Sequence, residues 1–177
     1  MLPLVDTLCV SIGDNWFVSI SDRGASLKVL LPIEGSPLSA VAVQSVVKRN
    51  WEADTEFLVV CLHQPSVYRF AVPPSSACVK ELDKVKSELY VRLNEIANNA
   101  AQHISQVSGC LAESRFVEVS MGGVEASLIE IANDWQANLI VVSSPLLAAK
   151  LAEQAGHQCD VEIFEMKTTD HAEPTFE

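Results

Sequence analysis

The residue types that catalyse reactions or bind metals are scattered along this chain. Five cysteines and four histidines are present, without a Cys-x-x-Cys pair. His157 and Cys159 are close in sequence, but a zinc site needs four ligands in paired spacings. The sequence also contains no nucleophile elbow, no Walker loop and no pair of catalytic carboxylates. It therefore predicts no catalytic residue and no metal site, and it favours a binding module over an enzyme.

Six residues are candidates for binding a small ligand, because each follows an apolar run or precedes a helical one. Two of them, Ser36 and Ser144, each precede a proline. A serine at this position can cap a helix, which contributes about 1 kcal/mol relative to alanine. The N–H groups of the same helix start can instead bind an anion; we favour the capping role. The candidate set is Ile33, Glu34, Ser36, Gly122, Ser143 and Ser144.

Two of these candidates, and His63 at the end of a predicted strand, each have a structural and a functional interpretation. Glu34 could hold a ribose hydroxyl or an adenine amine, or it could be a solvated loop carboxylate, which is the favoured interpretation. His63 could act as an acid or base, but no triad-type Asp or Ser partner is visible, which favours a loop histidine. Gly122, with the glycine that follows it, fits a tight turn into a helix, whatever binds nearby.

The elements that position these residues alternate between strand and helix. Continuous apolar runs, typical of strands buried on both faces, predict strands at 27–31, 57–62 and 139–142. Two further strands are predicted at 115–120 and at 159–164, the latter with alternating apolar and acidic residues. Period-3.6 patterns predict helices from 36 with Val43, Val46, Val47 and Trp51 on the apolar face, over 78–108, from 122, and over 144–156. Such alternation predicts an α/β fold: an open five-stranded parallel sheet with helices on both faces. Ligands of such sheets bind beyond the C-terminal strand ends, where the strand order reverses.

Composition limits the class of protein. The chain has 177 residues, of which 49% are hydrophobic and 20% are charged, as expected for a globular domain. A formal net charge of −11 argues against sequence-independent binding to nucleic acid or to anionic membranes. An odd cysteine number favours a reducing compartment. Because neither a signal peptide nor a membrane-spanning apolar run is evident, we expect a cytoplasmic protein.

Three regions are predicted along the chain. Residues 1–26 form a β-hairpin extension and linker, residues 27–165 the α/β domain, and residues 166–177 an acidic polar tail. The hairpin is too short to be stable alone in water, yet it carries Trp16, Phe17, Val18 and Ile20. We therefore expect these side chains to pack against an exposed sheet edge, a helix face or a partner subunit.

Two segments resemble the universal stress protein family. Residues 28–36 (KVLLPIEGS) are similar to the family's opening strand and its Pro-x-Asp-Gly-Ser turn. Residues 121–132 and 137–144 resemble its third loop, the following helix, and the strand that normally reads ADLIVMGS. The resemblance covers residues 27–164 and implies a five-stranded parallel sheet, commonly in a homodimer paired through the last strand.

The sequence departs from the family at two places that concern nucleotides. Glu34 stands where the family has an adenine-contacting Asp. The glycine loop Gly-x2-Gly-x9-Gly-Ser/Thr of the nucleotide-binding members is absent, because Ser143 and Ser144 lead directly into Pro145. Such a loop supplies the N–H groups that hold phosphates, so ATP and AMP are disfavoured cofactors. The missing loop also argues against a hydrolase of the wider adenine-nucleotide superfamily. The resemblance thus predicts a non-catalytic signalling or stress-response module that does not bind ATP tightly. The alternative is a small-ligand or adenine-nucleotide sensor with a reduced pocket around Glu34.

The last predicted strand is the expected site of self-association. Its apolar residues Val161, Ile163 and Phe164 are interspersed with acidic ones, a pattern typical of an edge strand. Two copies meeting antiparallel about a two-fold axis would pair the open edge, and the family resemblance indicates the same edge. Repulsion among the acidic residues would instead favour a monomer or a helix-mediated dimer, and the hairpin could also cover this edge.

Overall fold

The computed structural model describes residues 26–34, 37–64, 75–119, 122–155 and 159–163. Within them, five strands alternate with four helices, as the sequence predicts. The elements are β1 (Lys28–Ile33), α1 (Pro37–Lys48), β2 (Glu56–His63), α2 (Ser76–Ser108), β3 (Leu111–Glu118), α3 (Gly123–Trp135), β4 (Leu139–Val142), α4 (Pro145–Ala155) and β5 (Asp160–Ile163). The predicted N-terminal hairpin and the acidic tail lie outside the described residues.

The described strands form an open sheet in which every neighbouring pair is parallel. Their order is β3-β2-β1-β4-β5, with β1 in the centre and with β3 and β5 at the two edges. The chain moves outward from β1 to β2 and β3, and then returns to the other side of β1 with β4. The strand order therefore reverses between β1 and β4, and the connections that follow these two strands lead to opposite faces of the sheet. The predicted fold class is confirmed.

Helices cover both faces of the sheet, and each face has its own apolar core. On the α1/α2 face, Val29, Leu31 and Ile33 of β1 pack with apolar residues of α1 and α2. On the α3/α4 face, Leu30 packs with Leu128 of α3 and with residues of α4. Side chains of a strand point alternately to the two faces, so a strand covered on both sides must be apolar throughout. This coverage explains the continuous apolar runs of β1, β2 and β4.

Helix α2 is longer than the sheet that it covers. Ser75 caps its start by accepting a hydrogen bond from the N–H of Cys78 at 3.3 Å, and Gly109 ends it in the left-handed conformation with φ 74°. Leu93, Ala97, Ala101 and Ile104, in its second half, are buried. In the first half the same apolar stripe is exposed; the examples are Val79, Val85 and Leu89. A 33-residue helix is about 50 Å long, about twice the length of an eight-residue strand.

Two predicted boundaries are wrong. Strand β3 begins at Leu111, before the predicted start at Arg115, because its half-exposed first residues lack a continuous apolar run. Helix α1 ends at Lys48, so Trp51 is not part of its apolar face. Trp51 nevertheless reaches the core from the following loop: its Nε1–H donates to the Val46 carbonyl oxygen at 2.7 Å, and its ring meets that of Phe57 edge-on at 5.1 Å.

Candidate functional site

A cleft of about 360 Å³ opens between the carboxyl ends of β1 and β4. We call it the switch-point cleft, because the strand order reverses there. Its volume is near the lower end of the range of small-molecule sites, which is about 300–1,000 Å³. The residues that shape it include Glu34, Ser39, Leu62, Ser143, Ser144 and Leu147.

The β1 side of the cleft is fixed by a hydrogen bond to helix α1. The backbone N–H of Glu34 donates to Ser39 Oγ at 2.9 Å, and Ser39 is buried. This bond holds the first residue after β1 against the start of α1. The Glu34 carboxylate is on an exposed residue at the rim of the cleft, where it can accept hydrogen bonds from a ligand.

The β4 side of the cleft is the start of helix α4. Only two residues, Ser143 and Ser144, connect β4 to α4. Ser144 Oγ accepts a hydrogen bond from the Leu147 N–H at 3.3 Å, and the Ser144 carbonyl oxygen accepts one from the Ala148 N–H at 2.9 Å. The capping interpretation of Ser144 is confirmed. One of the N–H groups that an anion would need is therefore already bonded.

The structure places some of the predicted candidates in the cleft and others outside it. It brings Glu34, Ser143 and Ser144 together in the cleft. Ile33 contributes only its backbone to this strand end, because its side chain is 1% exposed and lies in the core of the α1/α2 face. Gly122 precedes α3 and is not among the residues lining the cleft. Ser36 lies outside the described residues.

The glycine after Gly122 has a conformational role. Gly123 has φ 90°, in the left-handed region that favours glycine. Its position at the first residue of α3 fits the predicted tight turn. A Cβ at this position would lie 3.3 Å from Glu125 Oε2, so the turn also limits the space beside that carboxylate.

Six residues that line the cleft are not in the predicted candidate set: Pro32, Ser39, Leu62, Val142, Pro145 and Leu147. Leu62 lies near the end of β2 and has 7% exposure. Ser39 and Leu147 are each the third residue of a helix, α1 and α4. Helical side chains lean towards the helix N-terminus, so the third residue of each helix leans over the strand end that precedes it. Ser39 and Leu147 could therefore have been identified by counting three residues from each predicted helix start.

His63 lies at the end of β2, outside the switch-point cleft. Its ring meets that of Tyr90 edge-on at 5.6 Å and stacks with that of Phe116 at 6.5 Å. Beside this group, Lys86 Nζ lies 3.4 Å from Glu118 Oε1. A histidine packed among aromatic rings fits the structural interpretation of His63.

Thiols and metals give no further site in the described part of the chain. No group of three or more His, Cys, Asp or Glu residues there could hold a metal ion. Cys61 is fully buried in the core of the α1/α2 face, and burial raises the pKa of its thiol. Burial, followed by the neighbouring Asp160 charge, raises the pKa of Cys159 to about 11. The described helices include none that is both long enough and apolar enough to cross a membrane.

The comparisons with known proteins identify the fold. No protein-family model matches the sequence, and no curated protein is significantly similar to it. A crystal structure of a universal stress protein family member from Burkholderia pseudomallei is 19% identical and covers 78% of this chain and 96% of that one, with a TM-score of 0.58. A family protein from Arabidopsis thaliana with AMP bound is 14% identical, with coverages of 80% and 93% and a TM-score of 0.53. A universal stress protein in complex with cAMP is 18% identical, with coverages of 80% and 98% and a TM-score of 0.51. The chain has the fold of the universal stress proteins.

Proposed function

We propose that this chain is a non-catalytic, universal stress protein-like module of signalling or stress response. It acts as a homodimer and does not bind ATP tightly. The observation that carries the proposal is the two-residue connection of Ser143 and Ser144 between β4 and α4. In the nucleotide-binding members that the sequence resembles, a glycine loop at this position holds the phosphates.

The charges around the switch-point cleft also oppose a triphosphate. Among the described residues that line it, none is lysine or arginine, and Glu34 places a carboxylate at its rim. The N–H of Leu147 is bonded to Ser144 Oγ, which leaves fewer donors at the start of α4. A triphosphate buried without charged partners pays a large desolvation cost. The site therefore provides little to stabilise the phosphates of ATP.

The homodimer is proposed to form through β5, with Val161, Ile163 and Phe164 in or near the contact. Strand β5 is an edge of the described sheet. Charge repulsion at this edge is reduced within each chain, because Arg49 Nη1 lies 2.9 Å from both carboxylate oxygens of Glu162. An antiparallel pair about a two-fold axis would satisfy the open N–H and C=O groups of both copies.

Light scattering at micromolar concentration tests the dimer. The wild type is expected to have twice the chain mass, and Ile163→Lys is expected to be monomeric. Leu146→Lys is the matched control, because Leu146 is 69% exposed on α4 and is expected to leave the dimer intact. A monomeric wild type, or a dimer that Ile163→Lys leaves unchanged, would refute the interface.

A second candidate function is a small-ligand or adenine-nucleotide sensor, and the switch-point cleft favours it. The cleft contains an exposed carboxylate at Glu34 and the hydroxyl groups of Ser143 and Ser144. These groups can bind a ribose or an adenine amine without a phosphate-binding loop. Proteins of the same fold are known with AMP or cAMP bound, and both ligands need fewer phosphate contacts than ATP.

Thermal shift with ATP, AMP and cAMP at millimolar concentration separates the two functions. A ligand at 100 times its Kd stabilises the native state by about 2.7 kcal/mol, which raises the melting temperature. We expect no saturable shift with ATP. A shift with AMP or cAMP that Glu34→Ala abolishes would support the sensor, and Glu95→Ala, an exposed carboxylate of α2, is the control. A saturable shift with ATP contradicts the proposed function.

A further inference from the structure

Strand β3 has one face that is exposed over most of its length, at residues 111, 113 and 115. Its side chains alternate, and Ala112 and Phe116 pack on the α1/α2 core, beneath α2. The alternate residues point the other way, towards the side of α3 and α4. Of these, Val117 packs on the α3/α4 core and is partly buried, whereas Leu111 is 59% exposed. We call this surface the open β3 face. Its members are Leu111, Glu113, Arg115 and Val117.

The backbone of β3 is also open along its outer edge. The N–H of Val119 donates to the His63 carbonyl oxygen, at the end of β2, at 2.8 Å. Successive N–H groups of a strand point to opposite sides, so those of residues 112, 114 and 116 point away from β2. Strand β3 is last in the described sheet, and such an edge must be paired or covered to prevent association with other chains.

The N-terminal 25 residues of the chain lead into β1, the central strand, which is two strands from this edge. Ser26, just before β1, bonds to the neighbouring strand on this side: its Oγ donates to Glu56 Oε1 of β2 at 3.1 Å. Glu56, the first residue of β2, is in register with Leu111 of β3. Because neighbouring strands are about 4.8 Å apart, Leu111 lies about 10 Å from the point of entry. Residues 21–25 can span up to about 16 Å, which is enough to reach β3.

We propose that residues 16–20 (WFVSI) pair with β3 as an antiparallel edge strand and that their apolar side chains lie beside the exposed side chains of the open β3 face. The direction follows from the point of entry. Residue 20 must lie near Leu111 and residue 16 further along β3, so the segment runs opposite to β3. An antiparallel edge strand on an otherwise parallel sheet is common. In the register that places Trp16, Val18 and Ile20 on the open face, Ile20 would lie beside Leu111, and Trp16 would bring an indole ring near the Arg115 guanidinium.

The opposite edge of the sheet fits this segment less well. The described residues of β5 include Asp160 and Glu162, whereas the open β3 face combines apolar groups with one positive and one negative charge. Ser26 is bonded towards β2 and away from β4. Pairing with β3 also leaves β5 free for a second copy of the chain.

Amide hydrogen exchange of the full-length protein, measured by NMR, tests the pairing. The outward N–H groups of residues 112, 114 and 116 should exchange slowly. Val18→Asp, on the proposed contact face, should accelerate their exchange by about tenfold and leave β5 unaffected. Ser19→Asp is the matched control, because its side chain is on the other face of the segment, and it should leave the exchange unchanged.

A second pair of variants tests the same contact from β3. Leu111→Arg should accelerate exchange as Val18→Asp does, and Leu146→Arg, at an exposed residue of α4, should not. Rapid exchange of residues 112, 114 and 116 in the wild type would overturn the proposal. Protection that resists both Val18→Asp and Leu111→Arg would do the same. Protection that disappears on dilution would also overturn it, because the partner would then be a second copy.

Discussion

The ion pair between Arg49 and Glu162 is predicted to hold the edge strand β5 on the sheet, and Arg49→Met tests this role. Arg49 follows α1, and its Nη1 lies 2.9 Å from both carboxylate oxygens of Glu162. The two side chains are only 19% and 27% exposed. The guanidinium also lies 4.6 Å from the centre of the Trp51 ring. One residue therefore connects β5 to the segment that follows α1.

The expected cost follows from this partial burial. Exposed ion pairs contribute about 0.2–1 kcal/mol, whereas breaking a buried pair costs about 3–5 kcal/mol. The pair lies between these limits, and the cation–π contact adds about 0.5–1 kcal/mol. Arg49 Nη2 is buried without a hydrogen-bond partner among the described residues, and this unpaired group reduces the stabilisation that Arg49 contributes to the folded state. We expect Arg49→Met to lower the free energy of unfolding by about 2 kcal/mol.

A double-mutant cycle with Glu162→Gln isolates the pair. Urea denaturation should give a coupling energy of about 1 kcal/mol between the two sites, and the amides of β5 should exchange faster in Arg49→Met. Lys84→Met with Glu88→Gln is the control, because this exposed i,i+4 pair on α2 should couple by no more than about 0.5 kcal/mol. A coupling energy for Arg49 and Glu162 no larger than that of the control would refute the anchoring role.

Three further predictions concern stability and thiol reactivity. Glu125→Gln should cost about 0.2–1 kcal/mol at pH 7, because a hydrogen bond from Lys150 at 2.6 Å lowers the pKa of that carboxyl. A carboxyl with a lowered pKa in the folded state stabilises the folded protein at pH values above the ordinary glutamate pKa of about 4.3. Denaturation curves should therefore show that wild type and Glu125→Gln become equally stable as the pH falls through the folded-state pKa. Iodoacetamide should label exposed Cys78 before Cys159, whose pKa of about 11 keeps the thiolate scarce; peptide mass spectrometry gives the order. Leu30→Ala, at a fully buried residue of β1, should cost about 2–5 kcal/mol in urea denaturation.

The sequence predicted the strands that are buried on both faces better than the strand at the β3 edge. Neighbouring residues of β4 such as Ile140 and Val141 point to opposite faces and are both buried, so the apolar run and the strand coincide. In β3, Leu111 and Glu113 are exposed, and the run begins only where the edge strand becomes more apolar. An edge strand with one face in water has apolar residues at only about half of its positions, so it lacks the continuous apolar run that marks a buried strand.

The apolar stripe of α2 shows a different limit of sequence periodicity. The pattern is the same at Val85, which is 60% exposed, and at Ile104, which is 0% exposed. Period 3.6 identifies the apolar face of a helix but contains no information on where the neighbouring sheet ends. That boundary depends on the length of β2 and β3, which lie elsewhere in the chain.

The candidate site was predictable where it depended on strand ends alone. Glu34 and Ser143 each follow a buried strand, and parallel strands bring their carboxyl ends to one side of the sheet. Ile33 was misplaced as a ligand-facing residue because the last residue of a strand can point to the core or to the cleft. Its side chain belongs to the face that includes Val29 and Leu31, since residues i and i+2 of a strand share a face.

The two sheet edges differ in the partners that they can accept, and this difference connects assembly with the point at which the chain enters the sheet. Pairing of β5 with a second copy would place Glu162 near its equivalent, and the pair with Arg49 makes that approach less costly. The open β3 face instead combines Glu113 and Arg115 with apolar side chains, and it lies two strands from β1, into which the N-terminal segment leads. With both edges of the described sheet paired, one continuous sheet would cross the dimer, and the N-terminal segment would replace β3 as its outermost strand. The switch-point cleft lies at the carboxyl ends of the central strands, so it would remain open to a ligand in that assembly.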